Sequence, residues 1–124
     1  MKRMRVSGVY HVKGPWCRRH AYHLYAVLLD PAAFGGRSRD DIVAAVNAEG
    51  IPCSAGYRDP LSDSPALREH LRRCPGSIRL TDCPNARHTC AHSLWFGQNM
   101  LLANRPDMED IAAAMAKVQR AFNA

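Results

Sequence analysis

The sequence predicts an α/β domain of the two-layer α+β kind: a small, mostly antiparallel sheet of about three strands, helices packed mainly on one face, and a long C-terminal amphipathic helix. Three observations carry this expectation. The chain has 124 residues, 47% apolar and 23% charged, which suits one globular domain. Short apolar runs rich in aromatic and β-branched residues recur between turn signals. Near the end, Met108, Ile111, Met115, Val118 and Phe122 are spaced 3, 4, 3 and 4 apart, a single stripe on a helix.

Residues 1–19 are basic and turn-rich and read as an N-terminal arm or linker, with the folded domain over 20–124. The run 21–29 is aromatic and apolar on both parities and is closed by Asp30-Pro31, which predicts a strand covered in part on both faces. Gly35-Gly36 turns the chain, Ser38 with Asp41 opens a helix over about 39–49, and Gly50 stops it. A second strand is expected within 51–57, with Pro52 confining it to an edge or a strand start. Residues 58–64 carry turn chemistry. Pro65 begins a helix that Pro75-Gly76 ends, and Pro84 begins another through His92. Leu94-Trp95-Phe96 is a third brief strand. Pro106 at a first helical position, acidic residues after it and Lys117 and Arg120 toward the end mark the last helix.

The formal charge is +6, almost all of it from arginine, in the short clusters Lys2/Arg3/Arg5, Arg18/Arg19 and Arg72/Arg73 rather than one stripe. That pattern is expected to be solvated surface, the rival reading being a basic nucleic-acid binder through Arg18/Arg19 and Arg72/Arg73. No run approaches the roughly 18 apolar residues of a membrane span. Five cysteines follow no apolar leader, so a cytoplasmic setting with reduced thiols is expected. The densest ligand groups, Cys17/His20/His23 and Cys83/His88/Cys90/His92, lack four converging positions, and no metal site is assigned. No phosphate-binding glycine loop or nucleophile elbow is present, so no catalytic residue is assigned from the residues themselves.

The run His20-Ala-Tyr-His-Leu-Tyr25, then Asp30-Pro31, Phe34-Gly35-Gly36, Ser38-Arg39-Asp40 and Ala48-Glu49-Gly50-Ile51-Pro52, resembles the small C-terminal domain of the DegT/DnrJ/EryC1/StrS aminotransferases. Ala55-Gly56-Tyr57, Pro60-Leu61, Cys83-Pro84-Asn85, Leu94-Trp95, Leu101-Leu102 and Asp107 to Ile111 with Lys117-Val118 continue it in order. The resemblance implies a fold-type-I small domain and, in the intact enzyme, pyridoxal phosphate and amino transfer from glutamine or glutamate to a keto-sugar or keto-cyclitol. The Cys-Pro-Asn, Leu-Trp and Leu-Leu segments are similar to the branch that includes glutamine-dependent scyllo-inosose aminotransferases.

In that family the lysine that holds the cofactor belongs to the large N-terminal domain. Of the three lysines here, Lys2 and Lys13 lie in the leader and Lys117 on the terminal helix, so no cofactor-binding residue is assigned and the chain alone is expected to bind no cofactor and catalyse no transamination. Many members end the second strand with a His that reaches the active site, followed by an aromatic residue. Here the pair is Gly56-Tyr57, so the imidazole is lost. Tyr57, Arg58, Pro60 and Leu61 are the substrate-pocket candidates. Expected partners are the missing cofactor-bearing domain, a full-length homologue or a second copy. The alternative is a non-catalytic interaction module or one subunit of a split enzyme.

Overall fold

The protein is described by a computed structural model covering residues 6, 8–11, 18 and 21–124. Its strands are β1 (Val9–His11), β2 (Leu24–Leu29), β3 (Ser54–Ala55) and β4 (Ser93–Gly97), and its helices α1 (Arg39–Ala48), α2 (Pro65–Arg73), α3 (Pro84–His92) and α4 (Arg105–Phe122). They fall into two compact units, the second being Tyr57–Ala91 and the first everything described on either side of it.

In the first unit the strands form one antiparallel sheet in the order β1-β2-β4-β3. Val27 faces Leu94 and Tyr25 faces Phe96, so the alternate residues Tyr25, Val27 and Leu29 share a face with Leu94 and Phe96. That face packs on Ile42 and Val46 of α1, Met115 and Val118 of α4, and Phe34, all of them buried. Burying a side chain of this size contributes roughly 1.5–3 kcal/mol, so this cluster dominates the stability of the unit. Four of the five residues of the predicted stripe on α4 meet the core, Met115 and Val118 buried in it and Ile111 and Phe122 packed against it.

Local chemistry fixes the helix ends. Ser38 Oγ accepts from the Asp41 amide at 3.2 Å to cap α1. Asn104 and Asp107 form a reciprocal capping box on α4, at 3.1 and 3.2 Å, one residue earlier than the position of Pro106 suggests. Asp30-Pro31, read as a strand stop, opens a one-turn 3-10 helix over Pro31–Phe34 whose cap is the Asp30 carboxylate. Gly35 leaves that turn at φ +61°, where an added Cβ would lie 2.2 Å from the Phe122 carbonyl oxygen.

Three differences from the sequence expectation have physical causes. The sheet has four strands because Val9–His11, inside the stretch read as an arm, pairs with Leu29 to Val27 of β2. Gly8 makes this possible: it sits at φ +74°, a Cβ there would meet that of Ala33 at 2.2 Å, and its carbonyl accepts from the Asp30 amide at 2.7 Å. β2 begins at Leu24 rather than residue 21, after Tyr22 turns the chain at φ +52°. β3 shrinks to Ser54–Ala55 and occupies the edge that Pro52 demands.

The second unit contains a 3-10 turn (Leu61–Asp63), α2 and all of α3 but its last residue. Pro60 is its one buried residue, so it has no apolar core of its own.

Candidate functional site

The loop after β3 starts from Gly56, whose amide donates to the Ser93 carbonyl at 3.2 Å and extends the β3–β4 pairing by one residue. A Cβ on Gly56 would lie 2.2 Å from Ser93 Oγ and 3.0 Å from two atoms of the Trp95 indole. Glycine is therefore required by packing, since its φ is ordinary. Asn47 of α1 fixes the approach to this loop: its side-chain oxygen accepts from the Cys53 amide at 3.1 Å, and its nitrogen donates to the Cys53 carbonyl at 3.0 Å and the Val43 carbonyl at 2.9 Å. Burial pushes the Cys53 thiol up to about 11, which keeps it protonated and unreactive at neutral pH.

Of the four pocket candidates, Tyr57 and Leu61 stand 73% and 79% exposed. The Arg58 guanidinium lies 3.8 Å from the Asp59 carboxylate and is almost wholly in solvent. Pro60 is buried and caps the 3-10 turn through Asp63. An aromatic ring, a guanidinium and an aliphatic side chain are thus presented outward within five residues, a set suited to stacking on a ring and pairing with its polar substituents.

None of the four lines the cleft within the second unit. That cleft, about 260 Å³, is walled by Ser62, Asp63, Arg68, Thr81, Asp82 and Arg87, with Leu80 completing it. Asp63 accepts from Arg87 Nε at 2.8 Å and from Nη2 of Arg87 and of Arg68 at 3.4 Å, and Arg87 also pairs with Asp82. The hydrogen bond from Arg87, ahead of the attraction of the two guanidiniums, holds the Asp63 carboxyl below the ordinary carboxylate range. Ser62 Oγ is buried there without a protein partner. The residue pattern did not reveal this network: Asp63 and Arg87 are 24 positions apart and each reads locally as turn or helix surface.

Among the described residues, no three His, Cys, Asp or Glu side chains converge as metal ligands, and Cys53, Cys74 and Cys83 are free thiols. Cys17 and His20, together with Lys2, Lys13 and the Lys2/Arg3/Arg5 cluster, lie outside the described residues. No described helix is long and apolar enough to cross a membrane.

The chain matches the model of the DegT/DnrJ/EryC1/StrS aminotransferase family over residues 4–119. It belongs to that family. It is 30% identical over 119 residues to a Streptomyces kanamyceticus protein assigned as an L-glutamine:3-amino-2,3-dideoxy-scyllo-inosose aminotransferase, an alignment covering 85% of this chain and 28% of the relative. In fold it is similar to the crystal structure of 3-amino-5-hydroxybenzoic acid synthase, with a TM-score of 0.66 and 18% identity over 93% of this chain and 30% of that one. The chain therefore spans somewhat under a third of the length of these relatives.

The described residues do not fit a pyridoxal phosphate site of this family, which needs a lysine amine presented to the cofactor. Lys117 is the one lysine among them, and its Nζ donates to Glu49 Oε2 at 2.6 Å, a surface pair between α4 and the end of α1.

Proposed function

We propose that this chain is the small domain of an aminotransferase of the sugar and aminocyclitol class, and that its part is to wall the acceptor pocket while another domain, on the same or a separate polypeptide, carries the cofactor. The observation that carries the reading is the family match over residues 4–119. The engagement of Lys117 by Glu49 supports assigning the cofactor lysine elsewhere.

In this reading the pocket wall is the loop from Tyr57 to Leu61. Tyr57 covers one face of the acceptor ring, Leu61 excludes water from its edge, and Arg58 donates to its oxygen substituents. Pro60 holds the turn that presents them. The strongly exposed Tyr57 and Leu61 support this role, because large apolar side chains kept in solvent suit a surface completed by something else. The same exposure supports a second reading, a non-catalytic module that pairs with a longer homologue or with itself.

The test is complementation. The remaining part of the S. kanamyceticus relative, mixed with this chain, is expected to transfer the amino group of glutamine to a keto-cyclitol, and neither component is expected to do so alone. Tyr57→Ala should raise KM for the acceptor about tenfold, the equivalent of one lost ring contact. A saturable visible absorbance band on adding pyridoxal phosphate to this chain alone would overturn the division of labour. Stable self-association without complementation would favour the second reading.

A further inference from the structure

The cleft in the second unit has its charges paired internally, two carboxylates against two guanidiniums, which leaves no net charge to recruit an ion. The pairing has a different consequence. Asp63 sits in the 3-10 turn, Arg68 on α2 and Arg87 on α3, so a single carboxylate joins three segments that no shared apolar core holds together. Its own side chain is 21% exposed, while Arg68, Asp82 and Arg87 are 49–68% exposed. Ile78 and Leu80, which could have supplied a core, stand 41% and 44% exposed. The buried, unpartnered hydroxyl of Ser62 beside the pairs counts against the closed arrangement, because opening returns it to water.

We propose that Tyr57–Ala91 is a separately opening segment latched by the Asp63 carboxylate: removing that one charge releases α2 and α3 while the sheet, α1 and α4 stay folded. Units with few buried contacts and solvated pairs open at lower free energy than a packed core. Among the described residues the charged groups paired with Asp63 are basic, Arg68 from α2 and Arg87 from α3, and Asp82 pairs with Arg87 alone, so losing the Asp63 charge removes the carboxylate that α2 and α3 share. Tyr57, Arg58, Pro60 and Leu61 belong to the same unit and are released with it.

Hydrogen exchange on the whole chain tests this without any reference to turnover, so it stands or falls separately from the aminotransferase reading. Asp63→Asn is expected to speed exchange of the α2 and α3 amides about tenfold while those of β2 and β4 keep their rates. Arg87→Gln should reproduce the effect. Glu69→Gln, which breaks only the pairs to Arg72 and Arg73, should not. Should either latch variant fail to fold, raising the salt concentration on the unaltered protein should produce the same selective acceleration. Equal acceleration in both units, no acceleration, or an equal effect from Glu69→Gln would overturn the proposal.

Discussion

The two units of this chain are stabilised by opposite means. The first encloses Phe34, Ile42, Val46 and Leu94 at no more than 1% exposure, between a sheet and two helices. The second buries Pro60 and otherwise relies on arginine–carboxylate pairs that remain in contact with water. Apolar burial depends little on charge screening or carboxylate protonation, whereas solvated pairs weaken as salt is added and as the carboxylate is protonated. One chain thus combines a region that resists changes in solution conditions with one that answers to them.

The strongest way to break the comparison is to open the core. Phe34→Ala should cost about 3–5 kcal/mol, seen as a lower denaturant midpoint, and should loosen β2, β4 and α4 together. An effect confined to the 3-10 turn would show that the first unit is less cooperative than its packing implies. Next in size, Asn104→Ala removes the acceptor for the Asp107 amide and should cost about 1 kcal/mol, read as fraying of the first turn of α4 by exchange or circular dichroism.

Acidification sharpens the contrast from the other side. The Asp63 carboxyl titrates lower in the folded chain than in the unfolded one, first because of its hydrogen bond from Arg87. Its contribution is therefore complete above the unfolded value of about 3.9 and is lost as pH falls through the lower folded value. Protection of α2 and α3 should decline across that acidic window ahead of β2 and β4. Smallest of all, Glu69→Gln should shift global stability by less than about 0.5 kcal/mol, since its pairs lie on one exposed helix face.

The parts of the fold legible in the sequence were those written in local chemistry. Ser38 with Asp41, Pro65, Pro84 and the stripe through Met115 and Val118 each specify a helix over a few residues, and each helix forms there. β1 was not legible, because Val9–His11 has no alternation of its own and becomes a strand only through the edge of β2 and the gap left by Gly8 at Ala33. The Asp63–Arg87 pair was illegible for the same reason at longer range. The loop from Tyr57 to Leu61 stood out through family resemblance rather than through the residues, since an exposed Tyr-Arg-Asp-Pro-Leu turn carries no chemistry by itself.

The close approach of Trp95 and Ser93 to Gly56 bears on any side chain introduced at the end of this strand. A Cβ at position 56 meets Ser93 Oγ first, at 2.2 Å, and then two atoms of the Trp95 indole at 3.0 Å. Gly56→His should therefore destabilise the sheet edge. A side chain at position 56 needs the Ser93 hydroxyl to move away and the indole to give, so residues 56, 93 and 95 behave as one packing unit at this edge of the sheet.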